Sequence, residues 1–398
     1  MKGSMNNHGM EKNKKKRRRI DGKGQSPTTP ENRCNSDPVL PDLIFEILLR
    51  LPPESVMRFA RVSKFWGSII RRPDFIDSFL THSFTQPRFL FVLRGRDGSR
   101  LFYSSTPYET TSSDVVHTKY LNLHPGHVIS HSVGGLILCE SGGTRLVICN
   151  PTTGQIITLP KVRSRKKGIT SFFGYDPIDH RYKVLCMTQC VAHYKSCKVA
   201  AGEHQVLTLG GAQEKSWRMI ECSFPHCPAT EGLCINGVLY YGACSGAEMK
   251  ECFVVSFDLR SEKFDFIRIG EGYNVWLIFS TRLINYQGKL AIVEGPAYSI
   301  DLLILEDAKK HRWSRISVMR QSLRGLSLWV SGQAVINGTT HTGEIIFAPL
   351  SSRKPFCVMF YDIKRESFRS VRIDGIEDHG RNWQVCTFPD HAENIMSL

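Results

Sequence analysis

The chain has 398 residues, 41% hydrophobic and 22% charged, with a formal net charge of +15; these globular values exclude a wholly disordered or fibrous chain and leave room for two folded units or one repeat-built unit. No apolar run approaches the ~18 residues needed to cross a membrane, and the Lys- and Asn-rich start lacks the apolar core of a secretory signal, so a soluble intracellular protein is expected. Thirteen cysteines, an odd number scattered singly at positions such as Cys139, Cys149, Cys186 and Cys357, fit a reducing compartment better than a disulfide framework.

Residues 1–36 combine basic, polar, glycine and proline residues with almost no large apolar side chains, so ordering them would bury too little surface to offset the lost entropy. A disordered basic tail is expected there. Its first 33 residues hold ten lysines or arginines against three acids, so nearly half of the charge excess sits in the tail rather than in a basic stripe on a folded surface. Within it, Lys14, Lys15, Lys16, Arg17, Arg18 and Arg19 form a continuous basic run of the kind that binds nuclear import receptors. A nuclear protein, with a cytoplasmic pool, is expected; specific nucleic-acid binding is not, because no basic-aromatic groove follows the tail.

From residue 37 to 81 the period becomes helical. Ile44, Ile47, Leu48 and Leu51 fall at i, i+3, i+4 and i+7, and Pro52 and Pro53 stop that segment. Ser55 is a candidate cap for a second helix, and Trp66, Ile69 and Ile70 begin a third that ends near Pro73. Three short helices cannot cover all of their own apolar surface, so another surface must cover the rest.

The stretch from Leu40 to Leu80, LPDLIFEILLRLPPESVMRFARVSKFWGSIIRRPDFIDSFL, closely resembles the plant form of the F-box. It departs from the usual pattern by placing Pro41 immediately before Asp42 and by carrying Glu54 where lysine is common. The resemblance implies a three-helix module that docks on a Skp-type adaptor and through it on a cullin. Carried over position by position, the adaptor contacts would be Pro41, Leu43, Ile47, Leu48, Leu51, Pro52, Val62, Ser63, Lys64 and Trp66.

After Leu80 short strands replace the helical period, and one unit recurs: an apolar strand, a turn opened by Asp, Asn or Gly, and a second strand. Its anchors are Asn150, Gly210, Asp258, Asp307 and Asp362, spaced by 60, 48, 49 and 55 residues. A glycine-bearing turn precedes most of them, at Gly135, Gly237, Gly288 and, more loosely, Gly343. Repeats of about 50 residues supplying four antiparallel strands are the mark of a kelch-like β-propeller. Five blades are clear, and a sixth is expected around a hairpin turn at Asp97 and Gly98.

Segments such as NPTTGQIITLP, FFGYDPIDHRYKVLCM and FDLRSEKFDFI also resemble the F-box-associated domain of plant F-box proteins. The expected architecture is therefore multidomain α plus all-β: a disordered tail at 1–36, a three-helix F-box at 37–81 and a β-propeller-like associated domain at 88–398. By resemblance the last of these holds the target protein.

Catalytic patterns are missing: there is no G-x-S-x-G elbow, H-E-x-x-H pair or phosphate-binding glycine loop. Cys186, Cys190, His193 and Cys197, and separately Cys222, His226 and Cys227, have loosely metal-like spacing but form no paired site, so no metal or other cofactor is expected. Asp176, Asp179 and His180 read as a turn rather than as acid-base groups. Trp217 and Trp313 recur at matching repeat positions and favour blade packing, whereas Trp276, Trp329 and Trp383 lie outside the repeated unit and are candidates for a target-binding face, Trp276 and Trp383 first among them. The reading is a non-enzymatic substrate-recognition subunit of a Skp-cullin-F-box ubiquitin ligase. A propeller enzyme or a nuclear nucleic-acid-binding protein are the alternatives.

Overall fold

The structure, a computed structural model, describes residues 41–96, 99–107, 113–120, 130–140, 145–162, 168–189, 202–209, 216–245, 251–270, 281–294, 299–319, 334–377 and 383–398. The expected hairpin turn at Asp97 and Gly98 and the repeat anchor at Gly210 lie outside these residues. By its internal contacts the chain divides into Met1–Ile44 and Phe45–Leu398. Of the first unit, only the opening turn of one helix is described; the second holds the rest of the helices and all of the strands.

Among the described residues, four helices come first: α1 (Pro41–Leu49), α2 (Pro53–Val62), α3 (Lys64–Ile70) and α4 (Pro73–Phe84). The sequence pattern predicts three, because both proline sites read as stops. Pro53 and Pro73 instead open α2 and α4, where a missing N–H costs nothing because the first-turn donors have no partner within a helix. Ser55 therefore sits inside α2, and among the described residues Ser63 caps a helix with its side chain, its hydroxyl accepting from the Trp66 N–H at 3.3 Å. Phe75 anchors the helical core, buried edge-on against Phe45 at 5.0 Å. None of the described helices is long and apolar enough to cross a membrane.

Beyond α4 the chain forms a six-bladed β-propeller. Blade 1 holds β1 (Arg88–Arg94), β2 (Arg100–Ser105) and β3 (Ser113–Tyr120); blade 2 holds β4 (Ile137–Glu140), β5 (Leu146–Asn150) and β6 (Gln155–Thr158). Blade 3 is built from β7 (Gly168–Asp176), β8 (Arg181–Gln189), β9 (Glu203–Leu209) and β10 (Arg218–Ile220). Blade 4 contains β11 (Cys227–Pro228), β12 (Leu233–Ile235), β13 (Val238–Ser245), β14 (Glu251–Asp258) and β15 (Phe264–Arg268). In blade 5 are β16 (Arg282–Tyr286), β17 (Lys289–Glu294), β18 (Ser299–Asp307) and β19 (Arg312–Met319), and in blade 6 β20 (Ala334–Thr339), β21 (Ile345–Pro349), β22 (Cys357–Asp362) and β23 (Ser367–Asp374). The last strand, β24 (Gln384–His391), returns to blade 1 and pairs antiparallel with β1, from Arg88↔His391 to Arg94↔Gln384.

The strand sequences explain why the blades stack. In β1, Phe89, Phe91 and Leu93 face blade 6 while Leu90 and Val92 face blade 2, so both faces are apolar and all five side chains are fully buried. A strand sandwiched in this way reads as a continuous hydrophobic run rather than an alternation. Among the described residues, one apolar cluster fills each of the six seams between neighbouring blades, including the seam between blades 6 and 1 that completes the ring.

The described repeat anchors are the turns between the last two strands of their blades. Oδ1 of Asn150, Asp258, Asp307 and Asp362 each accepts a hydrogen bond from a backbone N–H two or three residues on. In each case the residue four places after the anchor, Gly154, Glu262, His311 or Glu366, has a positive φ. A short carboxylate or amide side chain stabilises such a turn from within. The glycine turns at Gly288 and Gly343 join the first and second strands of blades 5 and 6, Gly135 lies just before β4, and Asn236 and Gly237, both at positive φ, form a two-residue turn between β12 and β13.

Residues 392–398 run back beneath blade 2. Asn394 is the fastening: its Nδ2 donates to the Gly134 carbonyl at 2.7 Å and to the Tyr182 hydroxyl at 2.8 Å, and its Oδ1 accepts from the Met396 N–H at 2.8 Å. Asn150 Nδ2 donates to the carbonyls of Asn394 and Met396. Gly135 lies against the same segment, where an added Cβ would stand 2.5 Å from the Ala392 carbonyl. Asn394→Ala strips partners from several buried polar groups, each of which costs ~1–3 kcal/mol when unsatisfied. The expected loss is about 2–4 kcal/mol, read as a melting temperature lower by roughly 5–10 °C; an unchanged transition would show that this segment bears no load.

Candidate functional site

The helical module leaves several apolar side chains in solvent. Ile47 on α1 is 54% exposed, Val62 at the end of α2 is 70% exposed, and Phe65 in the first turn of α3 is 52% exposed. Pro52, Ser63 and Lys64 are also exposed and Leu51 is half-buried. Trp66 is half-buried, held between Phe59 at 5.2 Å and Phe65 at 6.0 Å between ring centroids, so its ring stiffens the α2–α3 corner. Leu48 differs from the rest of the predicted set: at 1% exposure it faces the helical core and offers no surface. Leu43 is 55% exposed in the opening turn of α1, and Pro41 occupies its first position. Phe65 is absent from the set read off the sequence, although the first aromatic of VSKFW was the available signal.

A cavity of about 680 Å³ lies where the first-to-second strand turns converge, and Phe84 and Pro87, at the exit from α4, form part of its wall. Its polar lining is mostly amide and hydroxyl: Asn236, Asn285, Gln287, Asn337, Thr339 and Thr340. His131 also lines it; burial, aided by the charge of Arg282, lowers its pKa to about 4, so the ring is neutral near pH 7.

Asp176, Asp179 and His180 form the turn between β7 and β8. Asp176 Oδ1 accepts from the Ile178 N–H at 2.9 Å, Arg260 pairs with both carboxylates, and His180 has a φ of 51°. Trp217 and Trp313 make the same bond in successive pairs of blades: each indole N–H donates at 2.8 Å to a carbonyl near the end of the preceding blade, Pro160 and Arg268 respectively. Trp383 is half-buried against the seam between blades 6 and 1. Trp276, Trp329 and the basic run Lys14–Arg19 lie outside the described residues, as do Cys190, His193 and Cys197.

A small helical module with exposed apolar side chains, followed by a propeller closed by its last strand, defines a two-module protein. Residues 39–78 match the F-box domain and residues 88–392 match the F-box associated beta propeller domain; the chain belongs to the family of F-box proteins that carry this propeller. It is 39% identical over 401 residues to the F-box protein At5g65850 of Arabidopsis thaliana, covering 96% of this chain and 95% of that protein. The F-box protein DOR of Arabidopsis thaliana is 36% identical over 388 residues, covering 91% of this chain and 94% of the relative. Among solved structures, TolB from Acinetobacter baumannii aligns at 12% identity with a TM-score of 0.43, over 79% of this chain and 71% of the other.

The joint between α4 and the propeller is polar at its rim and apolar at its centre. Leu80 enters the seam between blades 2 and 3, the Glu393 N–H donates to the Ser83 hydroxyl at 2.6 Å, and Arg88 pairs with the Glu393 carboxylate at 3.1 Å. Burial outweighs the attraction of Arg88 and raises the Glu393 pKa to about 7. An acid with a raised native pKa holds its proton more tightly when folded. Its stabilising contribution is therefore complete below its ordinary value of 4.5 and is lost as the pH rises to about 7. Glu393→Gln removes this dependence. Between pH 5 and 8 the wild type should lose about 2–3 kcal/mol more stability than the variant, measured by denaturant unfolding at both pH values; parallel pH profiles would refute the assignment.

Proposed function

We propose that this protein is the substrate-recognition subunit of a Skp-cullin-F-box ubiquitin ligase. The exposed side chains of the helical module dock a Skp-type adaptor, which carries the cullin, and the propeller captures a target protein. The observation that carries this reading is the exposure of Ile47, Val62 and Phe65 on a module whose core residues Val56, Ile69, Ile70 and Phe75 are buried. Large apolar groups held in water on a small rigid module are the anchors of a protein interface.

Catalysis in such a complex is proximity: the target is held near a charged ubiquitin-conjugating enzyme, and this chain contributes no reacting side chain. The cavity lining, mostly amide and hydroxyl with His131, His341 and Asp390 among it, supports a binding role.

Val62→Asp and Phe65→Ala alter exposed positions and should leave the melting temperature within a few degrees of wild type. Each should weaken adaptor binding by roughly 30-fold, equivalent to about 2 kcal/mol at an interface anchor. Titration calorimetry with a purified Skp-type adaptor reads this directly, and wild-type affinity in both variants would end the adaptor reading.

The basic run Lys14–Arg19 supports a nuclear protein with a cytoplasmic pool. A fluorescent fusion of the full chain should concentrate in nuclei and redistribute when all six residues are replaced by alanine. An unchanged distribution would remove the import role.

A further inference from the structure

Where the chain passes from blade 3 to blade 4, the fold gathers three side chains that the sequence keeps apart. His204 is near the start of β9 and pairs in register with Ile220 of β10. Cys222 follows two residues after Ile220, and His226 stands immediately before β11, the first strand of blade 4. Both histidines are buried and Cys222 is half-buried at the surface. One ligand atom from each residue lies within 4.8 Å of the other two, and Cys222 Sγ is 3.9 Å from His226 Nδ1.

We propose that His204, Cys222 and His226 form a binding site for a divalent cation of the zinc class, fastening the third blade to the fourth. A tetrahedral zinc centre, with bonds of about 2.0–2.1 Å to nitrogen and 2.3 Å to sulfur, sets its ligand atoms roughly 3.3–3.6 Å apart. Small side-chain rotations therefore bring this set into range. Two imidazoles and a thiolate select a borderline-soft ion over calcium or magnesium, which require oxygen ligands.

The surroundings of His226 supply the orientation such a site needs. Its Nε2 is 2.7 Å from the Tyr241 hydroxyl, which is itself 3.7 Å from Met187 Sδ, while Nδ1 lies 2.9 Å from the Phe224 carbonyl. Without metal, Nδ1–H donates to Phe224 and the Tyr241 hydroxyl donates to Nε2. With metal, the Nδ1 lone pair binds the ion, the imidazole proton moves to Nε2 and donates to the Tyr241 oxygen, and the Tyr241 hydrogen turns toward Met187. Cys222 gives its thiol proton to solvent, so one proton leaves for each ion bound. Phe253, Phe264 and Phe266 ring the imidazole and keep it dry, and burial holds it neutral by lowering its pKa below the ordinary histidine value. Half-exposed Cys222 marks the entry path.

The test uses the purified full chain under reducing conditions, loaded with Co²⁺ as a spectroscopic substitute for zinc. Wild type should show thiolate-to-cobalt charge transfer and the visible bands of a tetrahedral ion. Cys222→Ser should abolish the charge transfer with an unchanged circular dichroism spectrum, and His204→Gln should weaken cobalt binding by at least tenfold. Zinc should raise the melting temperature of wild type but not of Cys222→Ser. No cobalt spectrum in wild type, or a charge-transfer band that survives both substitutions, would overturn the site.

Discussion

The pairing of β24 with β1 is the constraint on which the propeller depends. Every other blade is assembled from strands that are neighbours in sequence, and each could form its hairpins locally. Blade 1 cannot, because its inner strand is made last and must find a partner made first. Once it does, Phe388 joins Phe102 and Val147 in the seam between blades 1 and 2, and Val385 joins Phe91 and Val358 in the seam between blades 6 and 1. One strand thus completes two hydrophobic seams and covers the edge that β1 would otherwise leave open. The same return path delivers residues 392–398 to blade 2 and Glu393 to α4, so closure also fixes the joint with the helical module.

That geometry separates the two ends of the propeller. The end carrying the first-to-second strand turns receives α4, residues 392–398 and the walls of the cavity. The other end carries the crossings between blades, where His204, Cys222 and His226 meet. Crossings can vary in length and composition without disturbing strands whose two faces are already committed to neighbouring blades. A rigid ring joined to the helical module at one end therefore carries its inter-blade crossings at the other.

Much of this was legible in the sequence because it is local. The anchors Asn150, Asp258, Asp307 and Asp362 marked real turns, since an Asx side chain stabilises the bend after it wherever it sits in the fold. Trp217 and Trp313 gave away a repeated packing role through their spacing alone. The helix boundaries were harder, because a proline ends one helix and opens the next by the same chemistry, and only the path of the chain tells Pro53 and Pro73 apart from stops. Long-range partners were invisible. Leu48 and Ile47 are adjacent and both aliphatic, yet one is core and the other surface, a difference set by where the remaining helices lie. His204 belongs with Cys222 and His226 only because β9 and β10 pair, which no short spacing rule encodes. Grouping Cys222 and His226 with Cys227 looks along the chain, whereas the third ligand lies across the sheet.

The position of β24 also orders events in time. On the ribosome the helices and the first strands emerge early, while the strand that seals blade 1 emerges after all the others. Until then Phe89, Phe91 and Leu93 lack the cover that blade 6 provides, so the nascent chain carries an open hydrophobic flank that chaperones must tolerate throughout synthesis. A message cut short before Gln384 would encode the F-box helices intact and a ring unable to shut. Such a product would keep the exposed Ile47, Val62 and Phe65 of the helical module while lacking a closed propeller.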